Sequence, residues 1–157
     1  METVKLNTTK GDSTEGMLKE VAPIMLSQII HASVEDVFDA WKEAHKMKQW
    51  CSPEGMSVSF VEIDFRIGGV FIWEMKNEDM DVFTSGIFEE IFPYRLIRCI
   101  VFFADNVSTV SMRFRPIGKA KTELLLNHQG IPESEQENCK AFWTSCLSKL
   151  KTLLEKH

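Results

Sequence analysis

With 157 residues, 44% hydrophobic and 26% charged, the chain has the size and composition of one soluble globular domain and excludes a disordered or fibrous protein. A net charge of −5 without any basic run argues against nucleic acid or an anionic membrane as the main partner. The start is polar with no apolar core for a signal peptide, and no stretch approaches the roughly 18 apolar residues of a spanning helix, so no membrane span and a cytoplasmic location are expected.

The first residues are rich in Thr, Ser, Asn, Lys and Gly, so 1–18 is expected to be a flexible N-terminal segment and 19–157 a single domain. Ile24, Leu26, Ile29 and Ile30 mark a first strand. Ser33 then suits a helix N-cap, with Glu35 and Asp36 in the first turn and Val34, Val37, Phe38 and Trp41 on one face. This helix is expected to run to about His45, and a second, short helix to carry Met47 to Trp50 before Pro53 and Gly55 end it. From Met56 the apolar period changes to two. Strands follow around Val58 and Phe60, around Phe71, Trp73 and Met75, and over 82–91, where Gly86 suggests a bulge or bend. After Pro93 come a nearly continuous apolar strand over 94–103, an Asp105-Asn106 hairpin turn, and a strand in which Val110, Met112 and Phe114 alternate with polar residues. Thr122, Leu124, Leu126 and His128 form the inward face of the last strand.

The chain closes on a long helix over 132–156. Cys139, Phe142, Trp143, Cys146, Leu147, Leu150, Leu153 and Leu154 recur at the spacing of one buried stripe. Ser134 and Glu137 read as a capping box, while Lys149, Lys151 and Glu155 are expected to face water. A strand, two short helices, further strands on short connections and one long helix predict an α+β fold: an antiparallel sheet of six to seven strands curved around that helix.

Several motifs together resemble a known family. They are Ala32-Ser33-x-x-x-Val37-Phe38-x-Ala40-Trp41, Trp50-x-x-Pro53-x-Gly55, Asp64-x-Arg66-x-Gly68-Gly69, Gly86-x-Phe88-x-Glu90-Ile91-x-Pro93-x-Arg95-Leu96 and Thr122-x-Leu124-x-Leu126-x-His128-x-Gly130, followed by Trp143 and Leu147. In this order, over residues 22–156, they resemble the activator of heat-shock-protein-ninety ATPase-like branch of the SRPBCC (START-like, birch-pollen-allergen-like) superfamily. The resemblance implies a helix-grip fold, a hollow between sheet and long helix used for apolar ligands, and a connection to stress response. The chain departs from the family at Gln28, where an Arg is common, at Cys51, where a second Trp is common, and at Phe142, where a Gly is common. Phe in place of Gly would shrink a hollow.

Trp50, Phe71, Trp73, Met75, Met112, Phe114, His128 and Trp143 are the candidate cavity lining. Large aromatics and methionines make adaptable apolar linings, and they equally make an ordinary core. His128 reads either as a ligand-orienting or basic group or as a hydrogen-bonded core histidine. Asp64 and Arg66 read as a turn-fixing ion pair. The cysteines Cys51, Cys99, Cys139 and Cys146 show no paired spacing, so reduced thiols are expected and no metal site. No nucleophile or phosphate-loop motif is present, so no catalytic residues and no cofactor are assigned. Two functions follow: binding of a small apolar or aromatic ligand, or a co-chaperone-like domain that docks a larger protein.

Overall fold

In the computed structural model, which describes residues 21–156, seven antiparallel strands and three α-helices build the expected helix-grip fold. Strand β1, Ile24–Ile30, is followed by helix α1, Val34–Lys42, and helix α2, Ala44–Trp50. Strands β2 (Ser57–Ile63), β3 (Val70–Lys76), β4 (Asp81–Phe92), β5 (Leu96–Phe103), β6 (Asn106–Pro116) and β7 (Thr122–Gln129) come next, and helix α3, Gln136–Glu155, closes the order. The sheet order is β1-β7-β6-β5-β4-β3-β2, so the first strand pairs with the last and all other neighbours are hairpins. The segment 1–18, expected to be flexible, lies outside the described residues.

Ser33 caps α1 as its residue type predicts, with its Oγ accepting from the Asp36 amide at 3.2 Å. The helix stops at Lys42, earlier than expected, because Glu43 takes an extended conformation and splits α1 from α2. The turn between β2 and β3 explains its two glycines. Gly68 has φ +84°, and a Cβ on Gly69 would lie 2.0 Å from the Asp64 carbonyl oxygen. The Arg66 guanidinium meets the Asp64 carboxylate at 2.9 Å across this turn, as expected for a structural pair.

Two expectations about backbone irregularity are corrected. Gly86 is not the bulge: β4 keeps register there and slips between Phe88 and Glu90. A Cβ at Gly86 would meet the Phe71 ring at 2.2 Å and the Ile100 carbonyl oxygen at 2.5 Å, so this glycine makes room for a ring from the neighbouring strand. The hairpin between β5 and β6 turns at Ala104, with φ 53°, and Asn106 already belongs to β6.

The helix start is also corrected. Glu133–Glu135 is a 3-10 turn, α3 begins at Gln136, and its first turn has no side-chain cap, so the Ser134–Glu137 capping box does not form. The buried stripe is present: Trp143, Cys146, Leu147 and Leu150 are buried, and Cys139, Phe142, Leu153 and Leu154 are half-buried. Lys149, Lys151 and Glu155 do not simply face water. Lys149 Nζ donates to Ser52 Oγ at 3.1 Å, Lys151 Nζ donates to the Ile29 carbonyl at 2.8 Å, and the His31 amide donates to the Glu155 carboxylate at 2.8 Å. Helix α3 is therefore fastened to the edge strand β1 and to the loop after α2 by polar bonds, besides its apolar stripe.

Candidate functional site

Strand alternation aims Phe71, Trp73 and Met75 of β3 and Met112 and Phe114 of β6 at α1 and α3, and all but half-buried Phe71 are buried. They do not form one lining. Phe71 and Phe114 belong to a ring group around Phe38, Phe65 and Phe88: Phe38 meets Phe114 at 5.1 Å, and Phe71 meets Phe88 at 5.3 Å. A second group runs from Trp50 through Trp41 to Trp143, Phe142 and Trp73, with centroid separations of 4.6, 6.0, 5.0 and 5.5 Å along the series. Trp41 and Phe142 are members that the candidate lining omitted. The signal for Trp41 was present, since it shares the apolar face of α1 with Val37 and Phe38. The ring of Phe142 sits between those of Trp73 and Trp143.

His128 is 6% exposed and bonded on both ring nitrogens. Trp143 Nε1–H can only donate, so Nδ1, 3.0 Å away, must be the bare acceptor. The proton therefore sits on Nε2 and is donated to Ser108 Oγ at 2.8 Å. A serine nucleophile needs the reverse polarity, with its hydroxyl donating to the imidazole. Burial lowers the imidazole pKa to about 4, so the ring is neutral at ordinary pH. His128 is thus a hydrogen-bonded core histidine that fixes Trp143. Cys139 Sγ lies 3.4 Å from the same Nδ1, and burial followed by the charge of Glu135 raises this thiol to about 11. Burial also raises Cys99 to about 12 and Cys51 well above the usual thiol range, the latter helped by neighbouring Cys146. These three thiols stay protonated and unreactive near neutrality, and all four cysteines are unpaired.

The other indoles show where polar capacity is left over. Trp50 Nε1 donates to the Ala40 carbonyl at 3.0 Å, and Trp73 Nε1 donates to the Cys51 carbonyl at 3.0 Å. Among the described residues only Trp41 Nε1 and Asp39 Oδ1 are buried side-chain polar atoms without a hydrogen bond, and Asp39 Oδ1 still faces the Lys42 ammonium at 3.3 Å. Trp41 is 4% exposed, so its N–H lacks both protein and open solvent.

Two hollows lie elsewhere. One, of about 660 Å³, is an open groove along the outer side of α3 between Glu54, Ser145 and Lys149. The other, of about 600 Å³, lies on the outer face of β1, β7, β6 and β5. Neither touches the eight candidate lining residues, whose side chains pack against one another. Among the described residues no three His, Cys, Asp or Glu side chains gather as metal ligands, and no helix is long and apolar enough to cross a membrane.

The sequence model of the family described as Activator of Hsp90 ATPase homolog 1-like protein matches residues 31–155. The chain belongs to that family. Solved structures agree with the assignment. A protein from Chromobacterium violaceum is 26% identical, with a TM-score of 0.80 over 87% of this chain and 100% of that one. An AHSA1 protein from Silicibacter pomeroyi is 25% identical, with a TM-score of 0.75 over 85% of this chain and 97% of that one. A protein from Nitrosomonas europaea, 20% identical, shares the fold with a TM-score of 0.75 over 86% of this chain and 95% of that one. No curated protein matches. Family membership carries the helix-grip architecture.

Proposed function

We propose that this AHSA1-like protein binds a small, planar, largely apolar molecule between sheet and α3, in the aromatic layer that Trp41, Trp50, Trp73, Phe142 and Trp143 build. Met75, Met112 and His128 complete the lining in this reading, while Phe71 and Phe114 stay in the separate ring group around Phe38. The observation that carries it is the Trp41 N–H, a buried donor without an acceptor inside that layer. Leaving such a donor unpaired costs about 1–3 kcal/mol, a cost that a ligand carrying a carbonyl, ether or ring-nitrogen acceptor removes. Since these side chains pack against one another, the ligand enters by displacing a ring, and half-buried Phe142 is the one placed to move. The domain span 19–157 and a cytoplasmic location belong to the same proposal; the four unpaired thiols support the compartment.

The test compares two near-isosteric planar probes, 9-fluorenone and fluorene, by quenching of Trp fluorescence. The carbonyl compound is expected to bind more tightly to the native protein, and Trp41→Phe to abolish the difference. Equal affinities would remove the role of Trp41, and no binding of either would remove the ligand reading.

A second reading, docking of a larger protein such as a chaperone, is supported by the outer sheet surface. Phe83, Phe92, Phe102, Phe103 and Val107 are all exposed there or at its hairpin ends, more apolar surface than a solvated sheet face needs.

A further inference from the structure

The outer face of β1, β7, β6 and β5 has a chemistry of its own. Register places Met25, Asn127, Ser111 and Arg98 in one row across the four strands, with Leu125 and Arg113 in the next row. Arg98 is held by Glu90 at 2.5 Å, and Arg115 is held by Glu123. Arg113 lies between these two pairs, and among the described residues no carboxylate comes within bonding range of it. On a chain of net charge −5, this is a guanidinium without a carboxylate partner among the described residues, beside a neutral amide and hydroxyl in a groove of about 600 Å³. Met25, 67% exposed, and Leu125 give the groove an apolar flank. Further along β5 and β6 the cross-strand pair Phe102 and Val107 is also exposed.

We infer that this face docks a short segment of a partner protein in which acidic side chains are bordered by apolar ones. Carboxylates meet Arg113 and the outer side of the Arg98–Glu90 pair, where a guanidinium offers two parallel donors. Apolar side chains cover Met25 and Leu125 on one side and Phe102 and Val107 on the other. From Met25 on β1 to Phe102 on β5 the face runs roughly 14 Å across the strands and roughly 13 Å along them, a diagonal of roughly 19 Å that about five or six extended residues with their side chains cover. A basic or purely polar segment leaves Arg113 unpaired and the flanks wet, so charge complementarity selects the acidic one. This surface is separate from the interior, and neither site requires the other to be occupied.

The experiment uses the labelled peptide Ac-Leu-Glu-Asp-Leu-Phe-NH₂ and its Gln/Asn counterpart. Fluorescence anisotropy at low and high salt gives affinity, and backbone amide NMR gives location. The acidic peptide is expected to shift the amides of Ser111, Arg113, Leu125 and Asn127, and to weaken with salt. Replacing its carboxylates, or making Arg113→Glu, is expected to weaken binding roughly tenfold, as loss of a charge-assisted pair does. Val107→Ser tests the apolar flank and should weaken both peptides alike. Circular dichroism checks that each variant folds, and Arg113→Gln replaces Arg113→Glu if it does not. Equal affinity for the two peptides, shifts confined to the aromatic interior, no binding, or a concentration-dependent dimer that hides these amides would each overturn the inference.

Discussion

A single tautomer organises the polar part of the interior. Because Trp143 can only donate, His128 must present a bare Nδ1, and protonating that nitrogen sets two N–H groups against each other. The folded pKa of about 4 lies below the ordinary value of 6.5, so the unfolded chain takes up this proton first as the pH falls. The contribution of His128 is complete above about pH 6.5 and is lost as the pH drops toward 4, by about 3 kcal/mol in all. Urea unfolding between pH 7 and 4 measures it, with His128→Gln as the reference that lacks the titration. The native protein should lose about 3 kcal/mol more than the variant over this range; parallel pH profiles would contradict the neutral buried imidazole.

At the scale of elements, the polar bonds that fasten α3 distinguish positions that periodicity treats alike. Leu147 is buried in the stripe, and Leu147→Ala should cost about 2–5 kcal/mol. Lys151→Ala removes the bond to the Ile29 carbonyl and should cost about 1 kcal/mol, whereas exposed Thr152→Ala should change stability by less than about 0.5 kcal/mol. Chemical denaturation of the three variants checks this order, and equal losses would overturn the placement of the helix. Gly86→Ala is expected to destabilise by about 1–3 kcal/mol, because its Cβ meets the Phe71 ring and the Ile100 carbonyl. Thermal unfolding of Gly86→Ala beside the double variant Gly86→Ala/Phe71→Ala separates the ring contact from the carbonyl contact, since only the former is relieved in the double variant. Much of this level was legible beforehand: alternation in β6 and β7 and the stripe of α3 are periodic, and period survives in sequence. The fastening of α3 was not legible. Lys151 and Ile29 are 122 positions apart, and only the fold brings a long polar side chain to that edge. The start of α3 was misread because Ser134 and Glu137 carry the spacing of a cap, whereas the chain makes a 3-10 turn first.

At the scale of the whole molecule, the sheet has two chemically different faces. The inner one gathers indoles and methionines, and six of the eight candidate residues lie on it as strand side chains, five buried and Phe71 half-buried, with Trp50 and Trp143 supplied by helices. Their division into two ring groups was beyond the sequence, because it depends on how α1 and α3 pack across β3, β4 and β6 and on where Phe142 points. In the ligand reading, Phe142→Ala opens space between Trp73 and Trp143. It should bind 9-fluorenone more tightly while losing about 3–5 kcal/mol of stability if the vacated space stays empty, less if it collapses. Titration and unfolding of the same preparation test both halves.

The most direct test of interior binding is methyl NMR of the methionines during titration with 9-fluorenone. Met75 and Met112 are buried on the inner face, while Met25 and Met80 are exposed outside it. The account predicts saturable shifts of the Met75 and Met112 methyls, with those of Met25 and Met80 unmoved. Shifts confined to Met25 and Met80, or no shift up to the solubility limit of the probe, would contradict it.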